Sequence, residues 1–193
     1  KKNTITSIVK KYNLDLRLTP NQDILLCNIA NKNKTQIKKA LSKIGYDNLD
    51  NINEIQRHAL ACPALPLCGL AMTEAERILP DVLKRIEKLL LDLKIEKTIL
   101  FRMTGCPNGC TRPYMAELAL VGSGQNKYQL WLGGSKNLQR LAKPFLQRME
   151  LNDLEKTLQP LFEYWKSSKD LDFGDFINTQ DESSILNLLN EIK

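Results

Sequence analysis

The chain has 193 residues, of which 42% are hydrophobic and 26% charged, so it can bury a sizeable core as one large or two small domains. Its formal net charge is +6, but the lysines are spread along the chain rather than gathered with aromatic residues. This distribution of charge disfavours a dedicated nucleic-acid surface. No apolar run in the sequence is long enough to cross a bilayer.

The amino-terminal residues read KKNTITSIVKKYN and contain no apolar segment typical of a secretion signal. Ile5, Ile8, Val9 and Tyr12 have the spacing of an amphipathic helix that is already under way at the first residue. The chain also begins without Met. We therefore expect a fragment of a longer protein.

The first part of the chain predicts a small domain over residues 1–54. Alternating residues 14–20 and the apolar run 23–29 predict two strands, and residues 35–46 carry apolar residues at helical spacing. An Asn- and Asp-rich run, residues 47–54, predicts the connection to a second domain over residues 55–193.

The second domain is predicted to mix helices and strands. Thr73 and Glu76 have the spacing of a capping box, and an amphipathic helix is predicted from Asp81 onward. Residues 97–103 predict a strand before a cysteine loop, and residues 115–122 and 128–134 predict two more strands joined at Gly122–Gly124. A late helix is predicted with Asn152 as its N-cap.

Four of the five cysteines form two pairs in loops rich in Pro and Gly. The first pair is Cys62 and Cys68, and the second is Cys106 and Cys110. Disulfides, zinc, an iron–sulfur cluster and inert core thiols all remain possible, although the five-residue gap of the first pair is wide for zinc. Cys27 lies inside an apolar run and is interpreted as a small buried hydrophobe.

Three stretches of this sequence carry a resemblance to a known family. They are CPALPLCGLAMTEAERILP, RMTGCPNGCTRPYMAELALVG and YQLWLGGS. Together they resemble the siroheme-containing sulfite and nitrite reductases, and the text of both cysteine loops looks like the sulfite reductase branch. RPYMAEL and QLWLGG look more like the ferredoxin-dependent enzymes of that branch than the NADPH-linked hemoprotein.

The resemblance implies a fold and a set of cofactors. The implied fold class is α+β. Residues 1–54 would form half of a ferredoxin-like nitrite/sulfite reductase repeat, expected to be truncated at its start, and residues 55–193 an α/β siroheme- and [4Fe-4S]-binding domain. The implied [4Fe-4S] cluster ligands are Cys62, Cys68, Cys106 and Cys110. Cys110 would also be the axial ligand of the siroheme iron.

The resemblance also places other residues near the cofactors. Asn108 would tune the environment of the sulfurs or only form the turn, and Arg112 would pair with siroheme carboxylates. Arg102 is a further candidate for such pairing, with a surface or structural role as its alternative. Gly133 and Gly134 would let the backbone approach the cofactor or only make a turn. The single histidine, His58, is left without a role.

The implied function is sulfite reductase (ferredoxin), the six-electron reduction of sulfite to hydrogen sulfide. The expected partners are ferredoxin, sulfite and the remaining N-terminal half of the enzyme, which would hold the catalytic and sulfite-binding residues. This fragment alone is expected to be inactive, with no catalytic residue of its own. Surface lysines are candidate ferredoxin contacts: Lys127, Lys136, Lys143, Lys166 and Lys169.

Three alternatives to this function remain open. Two lie in the same family: a ferredoxin–nitrite reductase and the NADPH-linked sulfite reductase hemoprotein. The third is not an enzyme but a basic binding module with a structural zinc held by four cysteines. The expected location is the cytoplasm, or the plastid stroma if the source is a photosynthetic eukaryote, with no membrane partner.

Overall fold

The computed structural model describes residues 1–21, 23–46, 52–168 and 170–190. The chain divides into two compact units, Lys1–Asn53 and Glu54–Lys193, and each unit has its own hydrophobic cluster. Helices and strands occur in both units, which confirms the α+β fold class. Within the described ranges, no helix has the length and apolar character needed to span a membrane.

The first unit is a helix–hairpin–helix arrangement. Helix α1 (Lys2–Tyr12) leads into an antiparallel hairpin of β1 (Asp15–Leu18) and β2 (Ile24–Cys27), and helix α2 (Lys34–Ser42) follows. The predicted strands and helices therefore exist, with shorter bounds. Among the described residues of this unit, the buried core is small and consists of Ile8, Leu14 and Ile37.

The described part of the second unit contains a five-stranded sheet and five α-helices. Its strands are β3 (Leu60–Ala61), β4 (Phe101–Thr104), β5 (Leu118–Gly124), β6 (Lys127–Leu132) and β7 (Lys143–Glu150). Its helices are α3 (Glu54–His58), α4 (Leu79–Asp92), α5 (Leu154–Lys166), α6 (Phe173–Thr179) and α7 (Glu182–Asn190). The sequence predicted neither β7 nor the helices α3, α6 and α7.

The sheet is mixed, and its strands follow the chain order from β3 to β7. The pairs β3–β4 and β4–β5 are parallel, whereas β5–β6 and β6–β7 are antiparallel. Because β4 and β5 are parallel, the segment between them cannot be a tight hairpin and must run back along the sheet. That segment, residues 105–117, carries the second cysteine pair.

Apolar residues of the sheet and of the long helices form one continuous core. Val82, Ile86 and Leu90 of α4 are buried in it, as the predicted amphipathic pattern requires. Phe162 and Trp165 of α5 pack edge-on against a third aromatic ring, that of Phe173. This core holds β4 rigidly between β3 and β5.

Three local predictions are wrong. The helix α4 begins at Leu79, and the hydroxyl of Thr73 instead contacts Tyr128 Oη at 3.0 Å, so there is no capping box. The N-cap of α5 is Asp153 rather than Asn152. The turn between β5 and β6 lies at residues 125–126, and Gly122–Gly124 belong to β5. The predicted connection, residues 47–54, lies mostly outside the described residues, which resume at 52.

Candidate functional site

Both cysteine pairs follow the carboxyl ends of neighbouring parallel strands. β3 ends at Ala61, immediately before Cys62, and β4 ends at Thr104, two residues before Cys106. Ala61 lies opposite Met103 in the parallel register. Since carboxyl ends of parallel strands lie at the same edge of a sheet, the two loops begin side by side.

Backbone hydrogen bonds tie the two loops together. The amide of Cys62 donates to the carbonyl of Met103 at 3.3 Å, and the amide of Met72 donates to the carbonyl of Gly105 at 2.8 Å. Within the first loop, the amide of Cys68 donates to Ala64 O at 2.8 Å. The relative position of the two loops is thus set by main-chain contacts.

Glycine at position 105 allows this close approach. A Cβ atom there would lie 2.6 Å from the Cβ of Ala64 and 2.7 Å from the carbonyl oxygen of Thr73. At Gly122 of β5, a Cβ would lie 2.3 Å from the carbonyl oxygen of Gly105. Because these two positions have no side chain, the first cysteine loop contacts the start of the second loop, and that start contacts β5.

The four paired thiols differ in exposure. Cys62 and Cys106 are buried, with 8% and 7% of their surface exposed. Cys68 is half-buried and Cys110 is exposed. The buried sulfurs are shielded from water, whereas Cys110 is accessible from outside the unit.

Three of these thiols interact electrostatically, and one accepts a main-chain hydrogen bond. The amide of Gly105 donates to Cys62 Sγ at 3.3 Å. Burial is the largest cause that raises the pKa of the Cys62 thiol; the backbone hydrogen bonds of Gly105 and Ala64 oppose it, and Cys110 and Cys106 raise it further. Cys106 and Cys110 thus disfavour the ionised form of Cys62.

The donor set of this site suits a soft metal or an iron–sulfur cluster. All five cysteines are free thiols, so no disulfide competes for the sulfurs. Among the described residues, however, no three His, Cys, Asp or Glu side chains are already gathered in the geometry of a metal site. The four-cysteine ligand set stays a prediction, supported by loop placement and N–H···S bonding. Cys27 lies apart in β2, where it is half-buried.

The three polar residues predicted around the second pair differ in their exposure to solvent. Asn108 is exposed in the turn between Cys106 and Cys110. Arg112 is half-buried and adopts a left-handed conformation with φ of 54°, and its amide donates to Gly109 O at 2.7 Å. Arg102 is 1% exposed, so it is not a surface residue. Its guanidinium Nη1 donates to the carbonyls of Thr111 and Arg112, each at 3.0 Å.

The sequence analysis missed a buried carboxylate at the entry to β5. Glu117 Oε2 accepts from the amide of Leu100 at 2.8 Å, and Oε1 accepts from the amide of Gly174 at 2.9 Å. Burial raises the pKa of Glu117, and the two hydrogen bonds partly offset this. A single acidic residue inside the apolar run MAELALV was the available signal. Glu117 joins α6 to the sheet where the cysteine loop ends.

Two glycines and the histidine have local surroundings that explain them without a ligand. A Cβ at Gly134 would lie 2.2 Å from the carbonyl oxygen of Ala116, and Gly133 has φ of 93°. These glycines let the chain approach itself. The His58 side chain is mostly exposed, with Nε2 3.6 Å from Glu54 Oε2.

The lysines considered for ferredoxin contact do not share one environment. Lys127 is ion-paired with Glu150 at 3.0 Å, and Lys136 with Asp172 at 2.7 Å. Lys143 is exposed at the start of β7, and Lys166 is exposed at the end of α5. Lys169 lies outside the described residues.

One family model and two proteins named sulfite reductase are similar to this chain. The family described as "Nitrite/Sulfite reductase ferredoxin-like half domain" matches residues 1–44. The sulfite reductase (ferredoxin) of Synechococcus elongatus is 48% identical over 178 residues, which cover 91% of this chain and 28% of that protein. The sulfite reductase (NADPH) hemoprotein beta-component of Oceanobacillus iheyensis is 40% identical over 90% of this chain and 31% of that protein.

A solved structure shows the same fold. The NirA protein of Mycobacterium tuberculosis aligns with a TM-score of 0.71 over 94% of this chain and 36% of that chain, at 18% sequence identity. The chain therefore spans about a third of the length of the proteins it matches.

Proposed function

Because this chain belongs to the nitrite and sulfite reductase family, we propose that it is the C-terminal part of a ferredoxin-dependent sulfite reductase. The reaction is the six-electron reduction of sulfite to hydrogen sulfide. The similarity to a protein named sulfite reductase (ferredoxin), at 48% identity, supports this choice over the NADPH hemoprotein at 40%. Since the chain spans 28% of the former protein, the activity belongs to a longer polypeptide.

In this proposal each part of the chain has a separate task. Residues 1–54 are the ferredoxin-like half-domain, and the family match to residues 1–44 supports that assignment. Residues 55–193 are the cofactor-binding domain. The N-terminal half, ferredoxin and sulfite are the partners, and the cytoplasm or plastid stroma stays the predicted location.

The observation that carries the cofactor assignment is the placement of both cysteine pairs at one edge of the sheet. Cys62, Cys68, Cys106 and Cys110 would hold a [4Fe-4S] cluster, and Cys110 would also ligate the iron of siroheme. When bound, these groups would supply a path for single electrons and an iron that binds sulfite. The exposure of Cys110 supports its assignment as the thiolate shared with a second group.

The residues of the chain itself prepare this site. The buried sulfurs of Cys62 and Cys106 are kept from water, which limits loss of a bound metal. The amide of Gly105 donates to Cys62 Sγ at 3.3 Å, and hydrogen bonds of this kind raise the reduction potential of thiolate-bound iron. Arg112 and Asn108 flank Cys110 in the chain, where Arg112 would bind siroheme carboxylates.

Replacing single cysteines in the full-length protein tests the proposal. We expect Cys62→Ser and Cys106→Ser to lose most of their iron, acid-labile sulfide and visible absorbance, because each removes a thiolate ligand. The matched control is Cys27→Ser, which removes a half-buried thiol in β2 and should keep its iron. Cys110→Ser should lose sulfite-dependent oxidation of reduced ferredoxin.

Other outcomes of the same measurements would contradict the proposal. About one zinc per chain without acid-labile sulfide would instead support a structural zinc site. Turnover of nitrite without turnover of sulfite would favour a nitrite reductase. Electron delivery by an NADPH-linked flavoprotein but not by ferredoxin would identify the hemoprotein alternative.

A further inference from the structure

Arg102 is a cation buried in the middle of the sheet of the second unit. All four residues of β4 are buried, and Arg102 is 1% exposed between Leu60 of β3 and Ala119 of β5. Side chains alternate along a strand, so Phe101 and Met103 face the apolar core while Arg102 faces the other side. An arginine at such a position needs a physical reason.

The hydrogen bonds of Arg102 lead to the second cysteine loop. Nη1 donates to Thr111 O and Arg112 O, which are the first two carbonyls after Cys110. Nε is buried and has no hydrogen-bond partner within the described ranges. The ion pairs among the described residues likewise include no carboxylate partner for Arg102.

Burial and a second arginine both disfavour the charged form of Arg102. Burial lowers the pKa of the Arg102 guanidinium, and the nearby Arg112 lowers it further, whereas Tyr114 acts in the opposite direction. A buried charge without a counter-charge strongly destabilises a fold. The described ion pairs give Arg102 no counter-charge, so an anion bound next to the second cysteine loop would stabilise it.

We propose that Arg102 is the built-in counter-charge of the cysteine site and the positioning residue of the backbone after Cys110. This inference rests on the proposed function. Four thiolates around a cluster carry net negative charge, and two of them belong to the loop that Arg102 holds. The guanidinium offsets that charge from the protein side, while its Nη1 fixes the carbonyls of Thr111 and Arg112.

This role has a measurable consequence for the reduction potential. One-electron reduction adds one negative charge to the site, and a buried cation nearby stabilises the reduced form more than the oxidised form. Loss of the charge at position 102 should therefore lower the midpoint potential. A role in holding two carbonyls alone would affect folding but would not depend on charge.

The test is a redox titration of the full-length, cofactor-loaded protein followed by electron paramagnetic resonance. Arg102→Gln keeps an N–H donor but removes the charge, and its midpoint potential should shift to lower values. Arg102→Lys keeps the charge, and its potential should stay close to that of the unsubstituted protein. The control is Arg85→Gln on α4, which removes the ion-pair partner of Glu155 on α5 and should leave the midpoint potential unchanged.

Each outcome decides the inference. Arg102→Gln with full iron content and an unchanged potential would overturn it, and so would an equal shift in Arg102→Gln and Arg102→Lys. If Arg102→Gln does not fold, Arg102→Lys alone decides, since a lowered potential there contradicts a charge effect. Absence of any cluster from the unsubstituted protein would defeat the proposed function as well, whereas a loaded protein with no charge dependence defeats only this inference.

Discussion

At the level of single residues, the contact between the two cysteine loops depends on glycine at position 105, which has no side chain. Gly105 lies between β4 and Cys106, and it faces Ala64 and Thr73 of the first loop. Its φ is ordinary, so glycine is needed here for space rather than for backbone conformation. The first cysteine loop also contains Gly69, and a Cβ atom there would meet only open space.

We expect Gly105→Ala to lower the free energy of unfolding by about 1–3 kcal/mol, because the added Cβ would overlap Ala64 and Thr73. Gly69→Ala is the matched control and should change that free energy by less than about 0.5 kcal/mol. Urea unfolding of the chain followed by circular dichroism measures both. Equal effects of the two substitutions would contradict the packing explanation.

Residue spacing showed the two cysteine pairs and the family resemblance made them candidate ligands, but neither indicated the residues that support them. Cysteine pairs in Pro- and Gly-rich loops are visible in the sequence because their spacing is local. The burial of Arg102 and Glu117 could not be predicted, since each lies in a run that is equally compatible with an exposed strand face. Which face is covered depends on segments distant in the chain, such as the one that contributes Gly174.

At the scale of elements, two helices end in the same way. Asn13 after α1 and Lys94 after α4 adopt the left-handed conformation, with φ of 48° and 57°. After α4, the amide of Ile95 donates to Leu90 O at 2.8 Å and that of Lys94 to Leu91 O at 2.9 Å. This is a Schellman ending, at which glycine is the least strained residue.

Lys94→Gly should therefore raise the free energy of unfolding by about 0.5–1 kcal/mol, because glycine removes the strain of a Cβ in the left-handed region. The control is Lys88→Gly at an exposed position inside α4, which should lower stability by about 1 kcal/mol. Thermal and urea unfolding of both variants provide the comparison. A loss of stability in Lys94→Gly would show that the side chain matters more than the conformation.

Strands were predictable where their burial is regular. β6 alternates between half-buried and buried residues, and its predicted bounds are nearly correct. β7 was missed because its buried and exposed residues come in pairs rather than in alternation. The register between β6 and β7 shifts at two points, and such bulges disturb the period of two on which strand prediction relies.

At the scale of the whole molecule, the two units differ in the size of their cores. The first unit buries Ile8, Leu14 and Ile37, and its hairpin leaves Leu18 76% exposed. Among its described residues, the second unit has a continuous core that includes six buried aromatic side chains. A small core supports less stability against local opening.

We expect backbone amides of β1 and β2 to exchange with deuterium much faster than those of β4 and β5 in the 193-residue chain. The reason is that a two-stranded hairpin over three buried residues opens at lower free energy than a central strand of a five-stranded sheet. Hydrogen exchange read by mass spectrometry measures this. Equal protection of the two hairpin strands and the central strands would contradict it.

The mixture of helices and strands, the amphipathic helices and the two cysteine pairs could be predicted from the order of residues, because periodicity and residue spacing are local properties of the chain. Three features became visible only in the folded chain: both pairs leave the same edge of a sheet, Gly105 and Gly122 allow close contacts of the loops with each other and with β5, and Arg102 is buried. These features depend on the parallel pairing of β3, β4 and β5. β3 and β4 are far apart in the chain, since Leu60 pairs with Arg102, and no local sequence pattern can indicate such a pairing.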